Sequence, residues 1–109
     1  MLDFSWTMEA LGNIVKNCME HTPQGGSIII RYEQTSFYTM INIEDNGEGI
    51  AKEDLPHIFE RFYKGKNSSP DSVGIGLALA KQIISLQKGV ITVESSAGVG
   101  TSFTIKFYR

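Results

Sequence analysis

The chain has a single cysteine, Cys18, with only two histidines, three prolines and one tryptophan in 109 residues. One cysteine excludes an internal disulfide and a cysteine-based metal cluster, and it fits a reducing compartment. No apolar run approaches the roughly 20 residues that cross a bilayer, and the opening residues MLDFSWTMEAL lack the charged-then-apolar layout of a secretory signal. A net charge of -2 gives no electrostatic reason to expect nucleic acid or an anionic membrane as partner. No GxxxxGKS or GxxxxGKT segment is present, which removes the P-loop mechanism. Nor does a strand run directly into GxGxxG and a helix, as a dinucleotide fold requires. The expectation is one soluble, cytoplasmic domain over residues 1–109, with one modest core.

The apolar residues that are present fall into periodic groups. Leu11, Ile14, Val15 and Cys18 recur at helical spacing, so a helix is expected from about Trp6 to His21, ended by Pro23 and Gly25-Gly26. SIIIRYEQ and FYTMINIED read as two strands joined near Thr35-Ser36. In the second strand Ile41, Ile43 and Asp45 share one face. From Asn46 to Ile75 glycines and polar residues surround one apolar cluster, Leu55, Ile58, Phe59 and Phe62, read as a short helix, and 64–72 has loop composition. A second long helix is expected from about Gly76 to Gln87, and the strands GVITVESS and TSFTIKFYR follow, joined by AGVG. Short turns make each strand pair antiparallel. The class is α+β, a two-layer α/β sandwich in which helices cover one face of a mixed, mostly antiparallel sheet.

Three features could carry chemistry. Asn13 and Asn17 stand one turn apart on the first helix, which suits either a solvated face or an amide-oxygen ligand for a hard cation such as Mg²⁺. Asp45 points toward the apolar layer, where a carboxylate needs donors. An adenine amino group would serve, and so would the backbone of an Asp-Asn-Gly turn. Gly74-Ile75-Gly76 precedes a helix and would let backbone N–H groups approach a phosphate, or would simply be a flexible entry.

Taken in order along the chain, NIVKNCMEHTP, DNGEGI, FERFYKG, GIGLALAKQI and GVGTSFTI resemble the asparagine, first glycine, phenylalanine and second glycine boxes and the closing glycine-threonine turn of sensor histidine kinase catalytic domains. These domains belong to the wider Bergerat-fold group of ATPases. The resemblance spans nearly the whole chain. It implies an enzyme module that binds ATP with Mg²⁺ and donates the γ-phosphate to a histidine on a separate dimerisation domain, within a two-component phosphorelay. A response regulator would be an indirect partner. The domain would be monomeric, and its parent protein would be anchored in the cell membrane.

The resemblance also implies roles for individual residues. Asn17 would hold Mg²⁺ and act in catalysis, with Asn13 supporting it. Asp45 would accept the adenine amino group, Gly47 and Gly49 would let the backbone pass close to the base, and Thr101 would stand nearby. Gly74, Gly76 and the Leu77 amide would approach the phosphates. Lys16, His21, Ile50, Phe62 and Ile75 complete the nucleotide contacts. Arg61 and Lys64, on a lid from about Asn46 to Ile75, would reach the γ-phosphate, while Phe59 and Phe62 would anchor that lid.

Asn13 stands where gyrase-type, mismatch-repair and chaperone relatives carry a water-activating glutamate, so the resemblance implies phosphotransfer rather than hydrolysis. Two departures are Glu20, at a position that is often basic, and His21, where a tyrosine is common. Neither His21 nor His57 has the surroundings of a phosphoacceptor, a helical histidine followed by an acidic residue, so self-phosphorylation is not expected. A non-catalytic module that regulates a partner is the alternative, and a freestanding ATPase a third reading.

Overall fold

A computed structural model describes residues 4–22, 24–60 and 76–108, with Phe4 and His21 described by backbone alone. The first helix, α1, spans Phe4–His21. Thr7, Ala10, Ile14 and Cys18 recur every three or four residues and are all buried, so they form the stripe that faces the sheet. Near its end the Thr22 hydroxyl donates to the Cys18 carbonyl at 2.6 Å, satisfying one of the acceptors that a helix end leaves open.

Strands β1 (Ile28–Gln34) and β2 (Tyr38–Asp45) form one hairpin, and β3 (Gly89–Ser96) and β4 (Gly100–Tyr108) another. They join through β2 and β4 in the order β1-β2-β4-β3. The sequence leaves room for a mixed sheet, yet every described pairing is antiparallel. Two tight hairpins laid side by side give this result whenever their inner strands run in opposite directions.

Helix α2 (Gly76–Leu86) packs beside α1, and both cover the same face of the sheet. Ala80, Ile83 and Ile84 of α2 meet Ile41 and Ile43 of β2 and Phe103, Ile105 and Phe107 of β4. Fully burying a side chain of the size of Phe103 stabilises the fold by about 1.5–3 kcal/mol, and Phe103 is 0% exposed. The opposite sheet face is mixed, with exposed Ile29, Val90 and Tyr108 beside polar side chains. There Asn42 Nδ2 donates to Ser102 Oγ, Thr104 Oγ1 and the Phe103 carbonyl, and Arg31 pairs with Glu44. β1 is an edge strand, and most of its residues are exposed on both faces.

The apolar cluster after Asn46 was expected to form a short helix. The described part is a single 3₁₀ turn, Leu55–His57, with i to i−3 bonds continuing through Glu60 N–H to the His57 carbonyl. Its apolar members still dock on the body. Phe59 meets Phe103 edge-on, with ring centroids 6.4 Å apart, and the Lys81 ammonium lies 5.2 Å from the centre of the Phe59 ring. α2 closes with Lys88 in the left-handed region at φ 62°.

Two backbone contacts hold the end of the sheet nearest the Asn46–Ile50 loop. A Cβ on Gly100 would stand 2.1 Å from the Asp45 carbonyl oxygen, and one on Gly49 2.3 Å from that of Ser96. Gly100→Ala also forces a side chain onto φ 144°, so it is expected to cost about 2–3 kcal/mol. That corresponds to a fall of roughly 10–20 °C in Tm by calorimetry; a fall of less than about 3 °C would contradict this packing.

Burial, and then the Asp45 carboxylate that accepts its hydrogen bond, push the Cys18 thiol up from 9.0 to about 12. The folded chain therefore keeps a proton that the unfolded chain loses, and the stability this thiol contributes is complete below pH 9.0 and declines toward pH 12. Urea melts across that window are expected to show a steeper loss of stability for the native chain than for Cys18→Ala. Identical slopes would contradict the buried thiol–carboxylate contact.

Candidate functional site

At one end of the helix-covered face the apolar rows give way to a polar one. Register places Asp45 of β2 opposite Thr101 of β4, and Thr101 opposite Ser95 of β3. Asp45 and Thr101 are both 5% exposed. Asp45 Oδ1 accepts the Gly47 N–H at 2.9 Å, and the carboxylate also receives the Cys18 thiol of α1. A carboxylate offers about four lone-pair positions, so these two donors leave acceptor capacity among the described residues. The turn reading and the ligand reading of Asp45 are therefore compatible: the Asp-Asn-Gly turn uses part of the carboxylate only.

The loop after β2 is pinned from several sides. Asn46 accepts the Ser27 N–H on Oδ1 at 2.8 Å and donates its backbone N–H to the Ser27 carbonyl at 3.2 Å. Gly47 and Gly49 are buried, Gly49 has φ 76°, and the Glu48 carbonyl accepts the Gly98 N–H at 2.8 Å. Ile50 donates its N–H to Ser95 Oγ at 2.7 Å. Ser95 Oγ also donates to the Gly100 carbonyl and stands 3.0 Å from Thr101 Oγ1.

Across from this row is the polar flank of α1. Asn13 and Asn17 are half-buried, and Lys16 points to solvent. The Asn13 side chain lies against the first residue of α2, since a Cβ on Gly76 would come 3.9 Å from Asn13 Cβ. Asn13 Nδ2 is buried without a hydrogen-bond partner among the described residues. An orphaned buried donor costs about 1–3 kcal/mol. Leu77, next along α2, is partly buried against the core.

The structure thus brings Asp45, Gly47, Gly49, Ile50 and Thr101 together at the sheet end, and Asn13 and Gly76 together at the helix pair. Arg61, Phe62, Lys64, Gly74 and Ile75 lie outside the described residues, as does the side chain of His21. His57 sits in the 3₁₀ turn with Nδ1 2.8 Å from Glu60 Oε2. No group of three or more His, Cys, Asp or Glu side chains suited to a metal occurs among the described residues. Sequence reasoning missed Ser95 and Cys18. Counting back through the AGVG turn pairs Ser95 with Thr101, and Cys18 continues the buried stripe of α1 beside Asn17, so both signals were present.

Residues 3–109 match the family described as histidine kinase-, DNA gyrase B-, and HSP90-like ATPases. The chain is 37% identical over 110 residues to the sensor histidine kinase YvrG of Bacillus subtilis, covering 99% of this chain and 19% of that protein. It is 39% identical over 101 residues to the heme sensor protein HssS of Staphylococcus saprophyticus, covering 93% of this chain and 22% of that one. It thus spans about a fifth of the length of these relatives. Among solved structures, the mycobacterial sensor histidine kinase MprB superposes with a TM-score of 0.87 at 28% identity, covering 97% of this chain and 74% of that one. A nucleotide-free catalytic domain of the histidine kinase ThkA gives 0.83 at 26%, covering 98% and 69%. The chain belongs to the histidine kinase-, DNA gyrase B- and HSP90-like ATPase family, as an ATP-binding domain of the sensor histidine kinase type.

Proposed function

We propose that residues 1–109 bind Mg²⁺-ATP and present its γ-phosphate to a histidine on a dimerisation domain of the same parent protein, as the catalytic module of a two-component sensor kinase. The parent is anchored in the membrane and passes the phosphate on to a response regulator. No helix among the described residues is long and apolar enough to cross a bilayer, so that anchor would lie in another part of the parent.

The observation that carries this reading is Asp45, a carboxylate buried at the end of an apolar sheet face with acceptor capacity to spare. An adenine amino group is the donor that such a position suits. Gly47 and Gly49 keep the loop backbone close beside it, and Thr101 borders it on the next strand. Asn13, whose buried Nδ2 has no partner among the described residues, lies against the start of α2, where backbone N–H groups and the helix end favour anionic phosphate, and Asn17 follows one turn on along α1. These residues fit a metal–triphosphate group. Asn17 would ligate Mg²⁺, which when bound neutralises charge on the phosphates.

Transfer then needs little covalent chemistry from the protein. The residues orient the triphosphate while an imidazole nitrogen bonds to the γ-phosphorus and the bond to the ADP oxygen breaks. With Asn13 in place of a carboxylate, no base at that position activates water, which favours the histidine acceptor. Lys16, His21, Ile50, Phe62, Gly74, Ile75 and Leu77 complete the nucleotide contacts in this reading, and Arg61 and Lys64 approach the γ-phosphate. In this reading the acceptor belongs to the dimerisation domain and not to His57, which sits in a 3₁₀ turn rather than in a helical histidine box.

Calorimetric titration with ATP is expected to show saturable binding that strengthens with Mg²⁺. Asp45→Asn, which presents an amide where the carboxylate accepts, is expected to weaken it at least about tenfold. Radiolabel from γ-labelled ATP is expected on an added dimerisation domain, and to disappear with Asn17→Ala. Equal ATP affinity in the native chain and Asp45→Asn would overturn the reading.

A further inference from the structure

Strand β1 ends the sheet, and two of its large apolar residues point the wrong way for a strand edged by water. Register sets Ile30 beside Ile43 and Tyr32 beside Ile41, so both lie on the helix-covered face, yet they are 59% and 64% exposed. The helix layer stops short of them, because α1 lies over β2 and α2 over β3 at the far edge. One flank of α1 meets α2: Asn13 lies by Gly76, and Trp6 lines a groove with Leu79 and Ile83. The other flank therefore overhangs β1, and it is apolar, with Leu11 and Val15 half-buried and Met8 and Met19 exposed.

The backbone of the same edge is open in a defined pattern. The Thr35 N–H donates to the Tyr38 carbonyl and the Asn46 N–H to the Ser27 carbonyl. By antiparallel alternation, the odd-numbered residues of β1 spend both backbone groups on β2. Ile28, Ile30, Tyr32 and Gln34 then turn theirs outward, as a template for another strand.

We propose that this edge and the apolar flank above it bind a second copy of the chain, β1 against β1, antiparallel about a two-fold axis with Tyr32 opposite Tyr32. Charge selects that occupant and that register. A two-fold pairing through the outward groups sets even-numbered residues opposite even-numbered ones. Centring it on Arg31 places two guanidinium groups opposite each other, which is unfavourable. Centring it on Ile30 sets Arg31 against Ile29 and uses no charge. Centring it on Tyr32 sets Arg31 against Glu33 in both halves, on the face where Arg31 already pairs with Glu44. A two-fold axis perpendicular to the sheet keeps both helix layers on one side. The overhanging flanks of the two α1 helices then face each other above Ile30 and Tyr32, and the apolar groove closes on itself. This departs from the monomer that the family resemblance implies.

Sedimentation equilibrium of the chain is expected to give a mass that rises with concentration from 12.1 kDa toward twice that value. Glu33→Arg sets like charges together in both halves and is expected to raise the dimer Kd about tenfold. Combining it with Arg31→Glu is expected to restore the native Kd. Ile30→Lys should leave a monomer whose ATP affinity is that of the native chain, so the interface is tested independently of the nucleotide site. Under mild oxidation Tyr32→Cys should form a disulfide-linked dimer, since directly opposed residues lie within disulfide range, with the native chain and its buried Cys18 as control. A mass of 12.1 kDa at every concentration overturns the proposal. So does a dimer that Ile30→Lys leaves intact, a Glu33→Arg loss that the second substitution does not recover, or cross-linking through Ile30→Cys in place of Tyr32→Cys.

Discussion

A carboxylate at the end of an apolar strand face has to be met by donors, and the arrangement at this end of the molecule answers that requirement. Asp45 follows Ile41 and Ile43 on the helix-covered face of β2, so strand geometry alone carries it into the interior. Desolvating an anion there is costly unless it is hydrogen-bonded. The Gly47 N–H and the Cys18 thiol supply two bonds, one from the loop that Asp45 itself begins and one from α1 above. Each contact also fixes something else: the first sets the turn of the loop, and the second ties the helix to the sheet end. The remaining acceptor capacity is what a ligand can use.

Close backbone approach makes this possible. Gly100 lets the start of β4 lie against the Asp45 carbonyl, and Gly49 lets the loop return onto Ser96. With those contacts, the row Asp45–Thr101–Ser95 is continuous across three strands, and the loop from Asn46 to Ile50 is latched to the far strand through Ser95. In the helix layer Asn13 of α1 stands against the start of α2, with its buried Nδ2 unmet among the described residues. In the proposed reading, base and phosphate recognition would fall to different layers of the sandwich, the first to the sheet end and the second to the helix pair.

Much of this was legible in the sequence. The period of α1 and the alternation of β2 placed the core and pointed Asp45 inward, and both hairpins could be read from their turns. Asn13 and Asn17 could be put on one face by spacing. What the sequence did not show was depth and partnership. Spacing leaves an asparagine pair equally suited to solvent, whereas in the fold Asn13 lies beside Gly76 and its Nδ2 is buried. Leu55, Ile58 and Phe59 read as a helix because their apolar spacing fits one, whereas Pro56 and the successive i to i−3 bonds hold the described chain in 3₁₀ turns. Ser95 looked like an ordinary strand residue, since its latch to the loop comes from Ile50, 45 residues away in the chain. Cys18 was read as a small apolar residue, which its burial supports, but its contact with a carboxylate depends on how α1 crosses β2.

The central claim is that the polar row at the sheet end receives a purine base while the asparagines of α1 hold the metal–phosphate group. A crystal structure of the chain with Mg²⁺ and a non-hydrolysable ATP analogue tests it most directly. The account predicts the 6-amino group within hydrogen-bond distance of Asp45, Thr101 bordering the base, and Asn17 oxygen ligating the metal. A nucleotide bound elsewhere, or a base seated without contact to Asp45, would contradict it.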